Sequence, residues 1–181
     1  KDQIFYYEIP RELLDQEMWM VTRIAKTSNG IGYGGQKINS QVLRWQLKKD
    51  MILLRIVSYE NIANDSLPIY ESVRNSNFEP ILSSFEIKTI NPEDSSIVID
   101  VTSLFSTDIK ALGFPQYRRK GLKITSLDKK RSFIESIKSF PINIEVRNVL
   151  TYISSEPPSQ RNSQTISLEI NNSMLLLPKE K

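Results

Sequence analysis

Three stretches of this chain carry residues that could bind or react. The first is Ser28-Asn29-Gly30-Ile31-Gly32-Tyr33-Gly34-Gly35, which holds four of the six glycines. A glycine-rich loop cradles phosphate when its backbone N–H groups and a helix N-terminus face the anion. Here Gln36-Lys37-Ile38-Asn39 follows, without a Gly-Lys-Ser/Thr ending, and the next element has the pattern of a strand. That leaves two readings: a plain hairpin connection, or a flap with Tyr33 at its tip beside Gly34 and Gly35. The second stretch places Arg118, Arg119, Lys120, Lys123, Lys129, Lys130 and Arg131 within fourteen residues, opposed by Asp128 alone. Such a run suits a phosphate or an acidic surface. Aromatic residues are not interleaved with it as in a base-stacking platform, so nucleic acid is not expected. The third is Val73-Arg74-Asn75-Ser76-Asn77-Phe78-Glu79-Pro80, four polar side chains between two apolar ones. At a helix C-terminus Arg74 can satisfy the last carbonyls and an Asn, Asn75 or Asn77, can take the left-handed position. The same cluster can also contact a neighbouring domain or a ligand.

Two weaker patterns carry less. Ser126 and Lys129 fit the Ser-x-x-Lys spacing of a hydroxyl–amine dyad, but with 22 Ser and 14 Lys in the chain about two such pairs are expected by chance. Glycosidase chemistry needs two carboxylates about 5–9 Å apart. Glu86, Asp100, Glu145 and Glu169 fall within strand-like segments, and nothing in the sequence pairs them. Asp65, Asp94 and Asp128 sit in turns, outside any Ca²⁺-loop spacing.

Composition narrows the chemistry further. The 181 residues include no histidine and no cysteine, which removes Ser-His-Asp and Cys-His nucleophile systems, imidazole bases, thiolate zinc sites and disulfides. No catalytic residue, metal ligand or cofactor is assigned to the chain. Its net charge of +3 is modest, and no apolar run approaches the roughly 18 residues of a membrane span. The chain opens on Lys1-Asp2-Gln3 and enters an apolar segment at once, so it reads as a piece of a longer polypeptide.

The elements that must position these residues are mostly strands. There are 23 Ile and 8 Val against 3 Ala, and β-branched side chains favour the pleated sheet. Period-two alternation marks residues 17–25, where Met18, Met20 and Thr22 oppose Trp19, Val21 and Arg23. Further strands are expected over 3–9, 42–47, 51–59, 81–90, 97–101, 131–139, 142–153 and 165–170, with 174–177 closing the last. A short helical turn is expected at 11–15. Ser66 and Pro68 open a helix over 66–77, a second short one fits 102–109, and 113–130 and 154–163 read as loops. The whole is a single, predominantly β domain of α+β type, antiparallel, with one or two short helices and two packed sheets as its expected arrangement.

Several of these segments together resemble a known domain. They are Tyr33-Gly34-Gly35-Gln36-Lys37, Ser66-Leu67-Pro68-Ile69-Tyr70, the run SVRNSNFEP over 72–80, RSFIESIKSFPINI over 131–144, and Glu156-Pro157-Pro158-Ser159. In this order they are similar to the uncharacterised domain near the N-terminus of large, exported bacterial zinc-dependent metalloproteases, from about Ile4 to Pro178. The resemblance implies a periplasmic or cell-surface location, and a peptidase domain downstream whose His-Glu-x-x-His helix holds the zinc. With no histidine here, none of that machinery maps onto this chain. The implied role is a non-catalytic accessory domain whose partner is that peptidase domain. The alternative is a glycan- or peptide-binding module using the 30–35 loop and exposed aromatics. For either role the candidate binding residues are Tyr33, Gly34, Gly35, Arg74, Asn75, Asn77, Arg118 and Arg119.

Overall fold

The computed structural model describes residues 3–61, 63–159 and 163–178. Among them are ten strands: β1 (Tyr6–Ile9), β2 (Glu17–Thr27), β3 (Lys37–Lys48), β4 (Met51–Val57), β5 (Ile81–Ile90), β6 (Ile97–Asp100), β7 (Ile124–Leu127), β8 (Phe133–Ser139), β9 (Asn143–Ser154) and β10 (Thr165–Leu176). Three short α-helices interrupt them: α1 (Tyr70–Ser76), α2 (Thr102–Ser106) and α3 (Gln116–Gly121). Every strand pairing is antiparallel. The antiparallel, β-rich expectation holds.

The strands follow one hydrogen-bonded path, β1-β6-β5-β4-β3-β2-β10-β9-β7, with β8 also paired to β9. The pairing does not separate two sheets, because β5 serves both halves. Its residues 81–86 pair with β4, and its residues 87–90 pair with β6, with a register shift between Ile87 and Thr89. A strand that bends in this way turns a corner. The resulting curl is visible in the core. Tyr7 of β1 lies 6.3 Å, edge to face, from Trp45 of β3, although four inter-strand steps of about 4.8 Å would separate them in a flat sheet.

Two apolar clusters fill the curl. The larger joins Tyr7, Met20, Trp45, Ile52, Ile99, Phe105 and Met174, among others; the smaller centres on Ile24, Ile31, Phe114, Leu150 and Tyr152. On the inner face of three adjacent strands one polar residue lies between them: Thr22 on β2, Asn172 on β10 and Asn148 on β9, all buried. Thr22 Oγ1 donates to Asn172 Oδ1 (2.9 Å), Asn172 Nδ2 to Asn148 Oδ1 (2.8 Å), and Asn148 Nδ2 to the Phe105 carbonyl of α2 (2.7 Å). Buried amides need such partners, and this chain of bonds fastens α2 to the sheet.

Several boundaries differ from the sequence reading. The helix expected from Ser66 starts at Tyr70 after Ile69, with no side-chain cap; Ser66 instead bonds Asn64. The expected loop over 113–130 contains α3 and β7. Strand β3 starts at Lys37 rather than 42, β10 runs unbroken through the two segments expected there, and α2 ends at Ser106. The helical turn near Pro10 is a 3-10 turn, Arg11–Leu13. Of the expected 154–163 loop, residues 160–162 lie outside the described residues.

Candidate functional site

The glycine loop connects β2 to β3 and is strapped to the body. Gly35 N–H donates to the Ile24 carbonyl (2.7 Å) and Ile24 N–H to the Gln36 carbonyl (2.9 Å). Gly30 and Gly35 adopt φ values of +82° and +88°, which glycine reaches without strain. Ile31 is buried in the smaller cluster. The chain leaves the loop into β3, so no helix follows the glycines and the strand–loop–helix order of a phosphate cradle is missing. Tyr33, 67 % exposed, stands out from the tip, while Gly34 packs near the Ala25 carbonyl.

Arg118 and Arg119 on α3 are brought to this end of the fold, and both are engaged internally. Arg118 Nη2 donates to the Ile31 carbonyl (2.5 Å), and its guanidinium sits 5.0 Å from the centre of the Phe114 ring. Loop and helix are thereby tied together. Arg119 is buried, with Nη1 and Nη2 on the two oxygens of Asp108 at 2.8 and 2.6 Å. Burial opposes its charge, but the Asp108 carboxylate outweighs that, and the guanidinium pKa lies above its ordinary value. Burial, then Asp108, pushes the Tyr152 phenol up as well.

The remaining candidates lie elsewhere. Residues 58–80 form an excursion between β4 and β5, and none of those described is buried. It is pinned at its end across the outer face of β3 and β4. Arg55 donates through Nη1 to the Glu79 carbonyl (2.7 Å) and through Nε to Gln46 (2.8 Å), and lies 4.8 Å from the Phe78 ring centre. Arg44 pairs with the Glu79 carboxylate. Asn77 closes α1, donating from Nδ2 to the Val73 carbonyl (2.7 Å) and accepting from Asn61 (3.0 Å). Its φ of −120° is not left-handed, because a side-chain amide does the capping that the αL turn would do. Arg74 and Asn75 are exposed and neither side chain makes a hydrogen bond among the described residues, so Arg74 is not the cap that its position suggests. Along the same excursion Tyr59, Leu67, Ile69 and Phe78 (75 %) are exposed.

The family model for a domain of unknown function, DUF5117, matches residues 35–181. The chain belongs to the DUF5117 family. A second model, DUF5118, also a domain of unknown function, matches residues 1–27. No curated protein matches, and no solved structure does. The two matched segments share one sheet. β2, from the DUF5118 segment, lies between β3 and β10 of the DUF5117 segment, and the glycine loop is the junction.

The DUF5117 segment also supplies an open depression of about 680 Å³ on the outer face of β8, β9 and β10, closed at one side by Lys26 of β2. Glu145 and Glu169 both line it, so the sheet does bring two strand carboxylates into one cleft. Each is already held. Glu169 sits between Lys26 Nζ (2.6 Å) and Arg147 Nη1 (3.0 Å), and Lys26, then Arg147, holds its carboxyl below the usual range against the opposing effect of burial. A general acid requires the opposite shift. Glu145 accepts from Asn143 (2.8 Å), Asn171 (2.7 Å) and Ser173. Among the described residues no group of three acids is placed to hold a metal ion.

Sequence reasoning missed Arg44, Arg55 and Glu79. A signal existed: Arg55 interrupts the apolar run of β4, and a buried cation inside such a run must have partners. Lys110, which joins Lys120 and Lys123 around a second depression, lies outside the basic run and gave no local signal.

Proposed function

We propose that this chain is a non-catalytic accessory domain of an exported zinc-dependent metalloprotease, and that it docks against the downstream peptidase domain through the 58–80 excursion. The observation that carries the reading is a segment held rigidly at its end by Arg44, Arg55 and Asn77 yet contributing no buried residue among those described. A surface with Leu67, Ile69 and Phe78 outward gains from being covered. Rigid pinning lowers the conformational entropy lost on docking. Zinc and its imidazoles belong to the partner in this scheme, since this chain offers neither histidine nor cysteine. The resemblance to the N-terminal domain of such proteases supplies the partner and the exported location.

Hydrogen exchange tests the docking. Amides over 58–80 are expected to exchange more slowly in the parent polypeptide than in the 181-residue chain. Equal exchange in both would remove the docking surface. Deleting residues 1–181 from the parent is expected to lower peptidase activity or solubility, and unchanged values of both would remove the accessory role.

A second reading, a glycan- or peptide-binding module, rests on Tyr33 and Tyr117, the latter 73 % exposed. They stand on a loop and a helix that Arg118 ties together. Chemical-shift titration with oligosaccharides would perturb residues around Tyr33 and Tyr117 if that reading holds, and leave them unmoved if it does not.

A further inference from the structure

Arg118, Arg119 and Arg131 are engaged within the fold: Arg118 by the Ile31 carbonyl, Arg119 by Asp108, and Arg131 by Asp128 at 2.8 Å. The lysines are not. Lys120 and Lys123, joined by Lys110 from the turn after α2, surround an open depression of about 650 Å³ on the flank of α3. All three are exposed, and none takes part in an ion pair among the described residues. Four cations against the carboxylate of Asp108 line this surface, an imbalance equal to the net charge of the whole chain.

The lining selects among anions. A single phosphate is best held by convergent donors or a free guanidinium fork, and the Arg119 fork is closed on Asp108. Among the described residues no aromatic side chain lines the depression, so stacked bases have no platform there. What remains is three lysines with no partner carboxylate among the described residues, around a solvent-open hollow, with Gln116 as a further polar contact. That arrangement matches several carboxylates spaced along an extended chain. We propose that this depression is a docking site for an acidic peptide segment, held by Lys110, Lys120 and Lys123 around the closed Arg119–Asp108 pair. It is separate from the 58–80 surface and stands whether or not that surface docks a peptidase.

Lys123 provides an unusual test residue. It follows the end of α3 with φ +50°, the left-handed position that glycine occupies without strain. Lys123→Gly therefore removes a cation while relaxing the backbone, and its thermal midpoint is expected to equal or exceed that of the parent chain. The experiment is fluorescence anisotropy of a labelled peptide of alternating Glu and Gly with the 181-residue chain, at about 20 mM and about 200 mM salt, since screening lengths shorten across that range. Saturable binding at low salt, weakened on the order of ten-fold at high salt, is expected. Lys123→Gly and Lys110→Glu/Lys120→Glu should each weaken it, the double reversal to below detection. Lys129→Glu/Lys130→Glu, outside the depression, should leave the binding at about 200 mM within about two-fold, since the screening length there is under about 10 Å. The proposal is overturned by no binding at low salt, by equal losses in the Lys129/Lys130 variant, or by complete displacement of the peptide with equimolar inorganic phosphate.

Discussion

Arg119 closes both terminal guanidinium nitrogens on the Asp108 carboxylate, at 2.8 and 2.6 Å, with its central carbon 5.3 Å from the centre of the Tyr152 ring. The pair joins the turn after α2 to α3, a helix whose buried residue is Arg119 itself. Lysine cannot reproduce the two-pronged bond or the stacking, so Arg119→Lys is expected to destabilise. Breaking a fully buried pair costs about 3–5 kcal/mol. The Asp108 side chain is 22 % exposed, which lowers the expectation to about 2 kcal/mol. A urea midpoint within about 0.5 kcal/mol of the parent would show that the pair is an ornament of the surface.

The Thr22–Asn172–Asn148 chain makes a different prediction, because its members fail together. Asn172→Leu leaves the Thr22 hydroxyl and the Asn148 carbonyl oxygen buried without the partners they have now. The expected loss is about 2–3 kcal/mol. In a cycle of Asn148→Ala and Asn172→Ala, the double variant should lose about 1 kcal/mol less than the two singles together. Additive losses would mean that the two amides act independently, and that α2 is fastened by packing alone.

That chain also explains part of what could be read in advance. β2 and β4 were legible because one face of each enters the core, which imposes period two on Met18, Met20 and on Ile52, Leu54. β10 reads as two fragments because Asn171-Asn172-Ser173 interrupts its apolar pattern. Asn172 nevertheless faces inward, satisfied by residues 24 and 150 positions away in sequence, and no local pattern encodes that. Six-residue α3 is likewise held by Asp108 and Ile31 rather than by its own propensity. The candidate residues fared by the same rule. Arg118 and Arg119 were found by charge density but are used inside the fold, and Lys110 completes the basic hollow from a segment with no charge run. The junction between the two family models falls between hairpin strands β2 and β3, so the sheet itself ignores it.

Two glycines in the β2–β3 loop separate backbone strain from packing. Gly30 and Gly35 have nearly equal positive φ, but a Cβ on Gly30 would lie 2.9 Å from Pro158 Cβ, whereas one on Gly35 would meet nothing within 4 Å. Gly35→Ala should cost about 1 kcal/mol from the left-handed conformation alone. Gly30→Ala should cost about 1 kcal/mol more, since proline cannot fold away as a flexible chain end would. Thermal unfolding of the two variants side by side decides it; equal losses would mean that the 155–159 segment shifts freely.

Glu169 sets a pH dependence whose sign follows from its partners. Lys26 and Arg147 lower its folded-state pKa below the unfolded value of about 4.3. The stability it contributes is therefore present above that value and is lost as pH falls through the folded pKa. Its side chain is 10 % exposed, but Lys26 and Arg147 are 77 % and 51 % exposed, so solvent screening limits the gain to about 0.5–1 kcal/mol. Glu169→Gln should thus be less stable than the parent by about that amount at pH 7. The difference should shrink through the acid range and vanish once both chains are neutral at this position. Added salt should narrow the gap at pH 7 while leaving the acid limit unmoved. A gap that persisted unchanged into acid would assign the loss to Gln packing in the β9–β10 face rather than to the ion pairs.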